Sequence, residues 1–312
     1  MLVTPAFAKV NLALETVGRR ADGLHDIESV VVAIDWHDLV GLTLSLQDSD
    51  HSLQLTGTGS AGVPSDATNI SLRAARALSE LASRRVAARV WLDKRLPTGG
   101  GLGGGSADAA AVLRSGLRLL DSAGIAVPDS LLQRVACRLG ADVPAMLTTG
   151  VKLVTGAGER LQPCSDRDLH LTVAIAGASD TGAAYGALQT GDLRAEGRVR
   201  RVARALGDGV PPDDADLGSA LEGAACAVNP ALTEGLNRLR RSTPDHRWHM
   251  TGSGGCAFSL VASAAEADGL ARRVRRSGLR ATPCRSVPAG LTGNGLVAGP
   301  ATPAEPSAPR GC

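Results

Sequence analysis

The sequence predicts a fold that mixes strands and helices in two successive units, and three observations predict it. Ala88, Val90 and Leu92 alternate with Arg89, Trp91 and Asp93, a period-two strand signal running into a glycine tract and then an alanine-rich helical segment. The texture changes from Gly150, where a β-like stretch passes through Gly156 and Gly158 into a polar loop at 162–168. Beyond it, helix and strand signals alternate around a second glycine turn, Thr251-Gly252-Ser253-Gly254-Gly255. The expected units are residues 1–155 and 156–298, followed by a Pro/Ala-rich tail at 299–312 that lacks periodicity and is expected to be disordered.

Residues 2–16 read as extended, with Val10, Leu12 and Leu14 on one parity and Lys9 and Asn11 on the other, away from that apolar row. A lysine so placed is ordinarily solvated. Residues 18–26 form a turn by composition, and His25 within it reads as an exposed histidine. Strand-like runs follow at 28–34, 39–46 and 52–56. After a loop at 57–67, Thr68 and Asn69 introduce a helix with Leu72, Ala75, Leu78 and Leu81 on its apolar side. The strand at 88–92 and the glycine tract come next, with Ser106 placed to cap a helix carrying Ala110, Leu113, Leu117 and Leu120. A helix after Pro128 runs to about Arg138 and stops at Gly140 as its C-cap. Asp142 then precedes a short apolar segment, where an aspartate ordinarily caps. In the second unit, 169–175, 247–250 and 257–261 read as strands, and 181–188, 229–241 and 264–277 as helices.

At 312 residues, 44% hydrophobic and 21% charged, the chain has an ordinary composition for a globular protein. Aromatics are only 2%, so the core is built from Val, Leu, Ile and Ala, and Tyr185, the only tyrosine, stands out. A net charge of +2 argues against a nucleic-acid surface; the Arg-rich run at 194–204 has no aromatic for base stacking and reads as a solvated helix face. Six scattered cysteines form no CxxC pair, which favours reduced thiols and no zinc site. The first residues lack a signal-peptide pattern and no apolar run reaches membrane-spanning length, so a cytoplasmic protein without a membrane partner is expected.

The glycine tract is the chemical signal. Six of the seven residues from Gly99 to Gly105 are glycine, with Leu102 the exception. Without Cβ atoms, backbone N–H groups can turn inward together, and the following helix start adds unpaired donors and partial positive charge. Strand, glycine loop and helix make an anion site, phosphate above all; the alternative is a flexible linker.

Lys9-Val10-Asn11, the loop at 99–106, Leu139-Gly140-Ala141-Asp142-Val143-Pro144 and the turn at 251–255, in this order and spacing, resemble the GHMP superfamily of small-molecule kinases. Arg19-Arg20-Ala21-Asp22-Gly23-Leu24-His25 and Asp180-Thr181-Gly182-Ala183-Ala184-Tyr185 bring the match closest to members acting on a cytidine-diphosphate-linked methylerythritol. The resemblance spans roughly residues 5–290. It implies an α+β fold in two lobes, one like the second domain of ribosomal protein S5 and one ferredoxin-like, with the active site between. It also implies ATP and Mg²⁺ as cofactors and a monomer or homodimer. Lys9 and Asp142 would be catalytic, Asp142 as general base and Lys9 as stabiliser of the developing alkoxide. The amides at Gly99, Gly100, Gly101, Leu102, Gly103, Gly104, Gly105 and Ser106 would hold the ATP phosphates, with Asn69 and Lys94 near the adenine. Asn11 and Thr181 would bind the methylerythritol end, His25 and Tyr185 the cytosine, and Gly252, Ser253 and Gly254 would close over the substrate. The metal ligands are not indicated.

Three positions depart from the pattern. Leu24 stands where the turn usually has tyrosine, leaving Tyr185 without a stacking partner across the base; Ala145 replaces a common phenylalanine; Thr251 replaces serine and keeps the hydroxyl. Leu24 leaves open a paralogue acting on another small alcohol, and a non-catalytic binding protein on the same fold is the third reading.

Overall fold

The computed structural model describes residues 1–47, 50–193 and 195–290; the expected tail lies outside the described residues. Two long antiparallel strands form the frame. β1 (Leu2–Arg19) pairs with β2 (His25–Ser45) along almost its whole length, the turn between them shrinking to residues 20–24. The two runs expected at 28–34 and 39–46 are thus one strand. The polar residues between them sit at a register shift between Phe7 and Lys9, where the strand bulges instead of turning back.

β3 (Ser52–Thr56), α1 (Ile70–Leu81), β4 (Ala87–Asp93), α2 (Gly104–Ser122), α3 (Asp129–Leu139), the four-residue α4 (Val143–Met146), β5 (Val151–Gly156) and β6 (Arg160–Pro163) follow. The second half runs β7 (His170–Ile175), α5 (Thr181–Gly186), α6 (Arg198–Asp208), β8 (Gly218–Ser219), α7 (Glu222–Val228), α8 (Pro230–Ser242), β9 (His249–Met250), β10 (Cys256–Val261), α9 (Ala264–Arg276) and β11 (Arg280–Arg285). The first sheet is ordered β3-β4-β2-β1-β8, with β5 on the lower part of β2 and β6 on β5; the second is β11-β7-β10-β9.

Because β6 still pairs in the first sheet, we place the lobe boundary after Pro163 and not at residue 155. β8, from the second half, crosses back to β1, and Ala220 donates to the Leu14 carbonyl at 2.9 Å. The lobes therefore share a frame. One face of the first sheet packs on α1, α2 and α3 through Val40, Leu42, Val90 and Leu92. The other meets the second sheet and α6 through Val10, Leu12, Val173, Val202 and Phe258. The far side of the second sheet is covered by α8 and α9, with Leu236, Leu239, Leu270 and Val274 inward. Full burial of each such leucine or valine is worth about 1.5–3 kcal/mol.

Caps explain several helix starts. Asn229 accepts from Leu232 N–H at 3.1 Å ahead of Pro230, and Ser263 accepts from Glu266 N–H at 3.2 Å. Gly140 ends α3 in extended backbone (φ 174°, ψ 156°), not the left-handed turn of a capping glycine.

Two cations, Lys152 buried and Arg114 half-buried, have no ion pair among the described residues. Lys152 on β5 donates to the Thr148 and Thr149 carbonyls at 2.8 and 2.9 Å, and Arg114 on α2 donates to the Met146 and Pro5 carbonyls at 2.6 and 2.9 Å. Burial lowers Lys152 to about 8, with Asp166 opposing and Arg114 assisting. Below pH 8 folded and unfolded chains both carry this proton. Between pH 8 and 10.5 the unfolded chain keeps a proton that the folded protein has shed, so stability rises with pH. Relative to Lys152→Met, the protein should gain roughly 2–3 kcal/mol across that window in paired urea titrations. Parallel pH profiles would place the shed proton elsewhere.

Candidate functional site

The glycine loop is docked on both lobes. Lys9 N–H donates to the Leu102 carbonyl at 3.0 Å, while Ser179 and Cys256 N–H groups take the Gly99 and Gly100 carbonyls, each at 3.0 Å. With those carbonyls turned outward to neighbours, the loop enters α2 through Gly103, whose φ of 69° and ψ of 21° are left-handed and suit glycine. Helix α2 starts at Gly104, so Ser106 lies inside the first turn and caps nothing; Gly103 has no side chain to do so. The first-turn N–H groups of Gly104, Gly105 and Ser106 have no intrahelical acceptor, and no acidic side chain occupies that turn. That is an anion cradle. A Cβ on Gly103 would come within 3.1 Å of the Lys9 side chain, so the lysine runs directly beneath it.

Lys9 and Asn11 share one face of β1, as their parity predicts, but both are buried. The Lys9 ammonium bonds the Asn11 Oδ1, and Asn11 Nδ2 donates to Ser29 Oγ at 2.7 Å, which in turn donates to the Ala13 carbonyl at 2.7 Å. Lys9 Nζ lies 3.7 Å from Asp142 Oδ2, the lysine side chain 6% and the aspartate 50% exposed. Asp142 precedes α4 but makes no capping bond. Its carboxylate faces the cleft instead.

That cleft, about 570 Å³, lies between the lobes. It is lined by Lys9, Asn11, Asn69, Lys94, the stretch 97–106, Asp142, Thr181, Tyr185, Gly252 and Ser253. Of the expected residues, two stand apart from its lining. Gly254 sits behind the turn, facing Leu232 and Ser179. His25 contacts the cleft through Tyr185, ring centroids 5.2 Å apart and tilted 32°. Burial lowers the His25 pKa, assisted by Arg19, so its ring is neutral at pH 7. Tyr185, half-buried, is pushed up to about 12 by burial and by Asp142, and stays a neutral phenol. The second glycine turn is pinned from three sides. Asn11 N–H donates to Thr251 Oγ1 at 2.8 Å, Ser219 Oγ to the Gly252 carbonyl at 2.6 Å, and the Thr181 and Ser253 hydroxyls meet at 2.8 Å.

The two residues expected near adenine line the cleft with their side chains committed to protein partners. Asn69 caps α1, accepting from Ser71 N–H at 2.8 Å and donating to the Pro64 carbonyl at 2.6 Å. Lys94 is buried between Asp38 and Asp108, 2.7 Å from the latter. Burial pulls its pKa down, but Asp108 and Asp38 outweigh this and hold it raised. Burial raises the Asp108 carboxyl well above the usual carboxylate range, against the pull of Lys94. Asp38 also accepts from the Arg95 and Leu96 N–H groups at 2.5 and 2.8 Å, so this buried triad braces the entry to the glycine loop. Sequence reasoning missed it; an aspartate within the alanine run of α2 was its only trace.

Among the described residues no group of three His, Cys, Asp or Glu side chains could hold a metal ion. The exposed Asp142 carboxylate and the partly exposed Ser106 hydroxyl are sparse donors, which fits a Mg²⁺ carried chiefly by phosphate oxygens and water.

Residues 69–150 match the family model of the GHMP kinases N terminal domain. The 4-diphosphocytidyl-2-C-methyl-D-erythritol kinase of Nitrobacter hamburgensis is 38% identical over 283 residues, covering 86% of this chain and 90% of that protein. The chain belongs to the 4-diphosphocytidyl-2-C-methyl-D-erythritol kinase family. A crystal structure of a 4-(cytidine 5'-diphospho)-2C-methyl-D-erythritol kinase matches with a TM-score of 0.71 at 32% identity, over 91% of this chain and 98% of that one. The homoserine kinase of Cytophaga hutchinsonii matches at a TM-score of 0.67 and 18% identity, over 92% and 95% of the two chains, which shows the common fold. The two-lobed α+β architecture expected from the sequence is that of the GHMP kinases. Leu24, 55% exposed, offers an aliphatic surface beside His25. Among the described residues no helix is long and apolar enough to cross a membrane.

Proposed function

We propose that this chain is an ATP-dependent kinase that phosphorylates a hydroxyl of 4-diphosphocytidyl-2-C-methyl-D-erythritol, in non-mevalonate isoprenoid precursor biosynthesis. The observation that carries this reading is the Lys9–Asp142 pair, 3.7 Å apart at the mouth of the glycine cradle. ATP phosphates sit on the Gly101–Ser106 amides, where the helix start favours negative charge. Mg²⁺ would be carried chiefly by those phosphates, with Asp142 and Ser106 the residues that would help hold it, and would offset their charge. The acceptor hydroxyl lies between Lys9 and Asp142. Asp142 accepts its proton, Lys9 stabilises the alkoxide that develops, and the γ-phosphoryl group passes in line with no covalent enzyme intermediate. Asn11 holds Lys9 in place from the side and, with Thr181, contacts the methylerythritol.

The cytosine stacks on Tyr185, with neutral His25 supplying hydrogen bonds. Stacking forms before chemistry, so Tyr185→Ala is expected to raise KM for the cytidine-linked substrate about 5- to 150-fold, the equivalent of about 1–3 kcal/mol, with a smaller change in kcat. An unchanged KM would put the base elsewhere. Turnover of ATP across a panel of alcohols tests the whole reading. Phosphorylation of the cytidylylated substrate is expected to lead the panel. Exposed Leu24 favours a different acceptor if the reading fails, and strong turnover of another alcohol with none of this one would establish that.

A further inference from the structure

Asp142 has no side-chain hydrogen bond among the described residues, and α4, which follows it, is a single turn. A turn this short does not hold itself in water, so the carboxylate stays where the chain beyond it is anchored. That chain is held by the buried side chains of α4 itself, Val143, Ala145 and Met146, and by two cations, buried Lys152 and half-buried Arg114. Arg114 takes the Met146 carbonyl, and Lys152 takes those of Thr148 and Thr149, so three carbonyls following Asp142 converge on a guanidinium and an ammonium. Carbonyls at a helix C-terminus carry partial negative charge and favour such partners. The other arm of Arg114 reaches the Pro5 carbonyl on β1, four residues before Lys9. Arg114 itself stands on α2, whose first turn is the cradle. One guanidinium therefore ties together the elements bearing the phosphate site, the ammonium and the carboxylate. Both cations and Lys9 line one small hollow behind the cleft.

Stability alone is a poor reason for this arrangement. Burial lowers Arg114 to about 10, with Arg118 adding to it, and lowers Lys152 to about 8; Arg114 Nε is buried without a partner. Buried charge without a carboxylate is costly, and apolar side chains of similar volume often serve a core at least as well.

We infer that Arg114, supported by Lys152, is a positioning residue for phosphoryl transfer, acting through α4 to keep Asp142 in reach of Lys9 and the acceptor. This rests on the reading of Asp142 as the base. The test is a double-mutant cycle on the full chain, with Arg114→Lys and Lys152→Met made alone and with Asp142→Asn, following kcat with radiolabelled ATP, both KM values and Tm. Arg114→Lys should lower kcat about 10- to 100-fold, since a misplacement of about 1 Å can cost 10²-fold. KM for ATP should stay within about twofold. In the Asp142→Asn background the same change should cost less than about threefold, because a displaced group that is already absent cannot be lost again. A full multiplicative loss in that background, or a lowered Tm with kcat intact, would overturn the inference. If Arg114→Lys does not fold, the Lys152→Met cycle decides by the same criteria. Should Asp142→Asn alone retain its kcat, the base assignment fails separately.

Discussion

Asp142→Asn is expected to lower kcat by about 10²–10⁴-fold while leaving KM for ATP within about twofold. Asparagine keeps the size and the position ahead of α4, and Asp142 caps nothing, so little of the fold depends on its charge. The phosphate cradle is made of backbone N–H groups of α2 and the glycine loop and does not need Asp142. What is lost is, among the described residues, the only cleft-facing carboxylate that stands both half-exposed and beside Lys9. Phosphoryl transfer depends mostly on positioning and charge stabilisation, and proton acceptance comes late in the step, so a loss near the lower end of the range still fits the role. Since the interaction belongs to the transition state, kcat and kcat/KM for the acceptor should fall together. A fall smaller than about fivefold would remove Asp142 as general base. It would leave Lys9 and the cradle as the sources of catalysis.

The parts of the site legible in the sequence are those built from local chemistry. The glycine tract marks itself because glycine takes the left-handed Gly103 backbone without strain, and Lys9 and Asn11 share a face because side chains alternate along a strand. What stayed hidden is held by partners distant in sequence. Residues 194–204 read as a solvated face, yet Val199, Val202 and Leu206 of α6 are buried, and the helix start is capped by Glu15 of β1. That carboxylate accepts from the Glu196 N–H at 2.7 Å, across 181 residues, so no local capping signal exists. β8 is two residues long and β11 carries Pro283; each is a strand only because β1 or β7 lies beside it. The resemblance puts Lys94 near the adenine, and only the fold brings Asp38 and Asp108 against it. Arg114 and Lys152 are invisible for the same reason: their partners are carbonyls, which every residue has. Ser106 misled because serine is a favoured cap. Here a side-chain cap would occupy donors that the anion site leaves open.

Gly255→Ala is expected to cost both stability and turnover, because the two glycine segments cross there backbone to backbone. A Cβ at residue 255 would stand 2.1 Å from the Gly99 carbonyl oxygen and 2.7 Å from the Gly100 Cα, and the backbone φ is +96°. Neither obstacle is the flexible end of a side chain that could swing aside. The Gly255 carbonyl accepts from Ala176 and Gly177 N–H at 2.9 and 3.0 Å, and the next N–H, of Cys256, holds the Gly100 carbonyl. Relief of the clash must therefore part the phosphate loop from the second lobe or break the β10 to β7 end of the sheet. Left-handed strain alone costs on the order of 1–3 kcal/mol in a non-glycine residue. With the clash added, Tm should drop by at least about 5 °C, at roughly 2–4 °C per kcal/mol for a chain of this size class. Because the loop and the turn at 251–255 separate together, KM for ATP and for the acceptor should both rise. This differs from Asp142→Asn, which acts on kcat. Gly269→Ala is the matching control: it lies inside α9 with nothing within 4 Å of its Cβ position, and alanine there should stabilise by about 0.5–1 kcal/mol and leave turnover alone. A Gly255→Ala protein with unchanged Tm and KM would mean that the lobes do not rely on this crossing to set the distance between the ATP cradle and the acceptor.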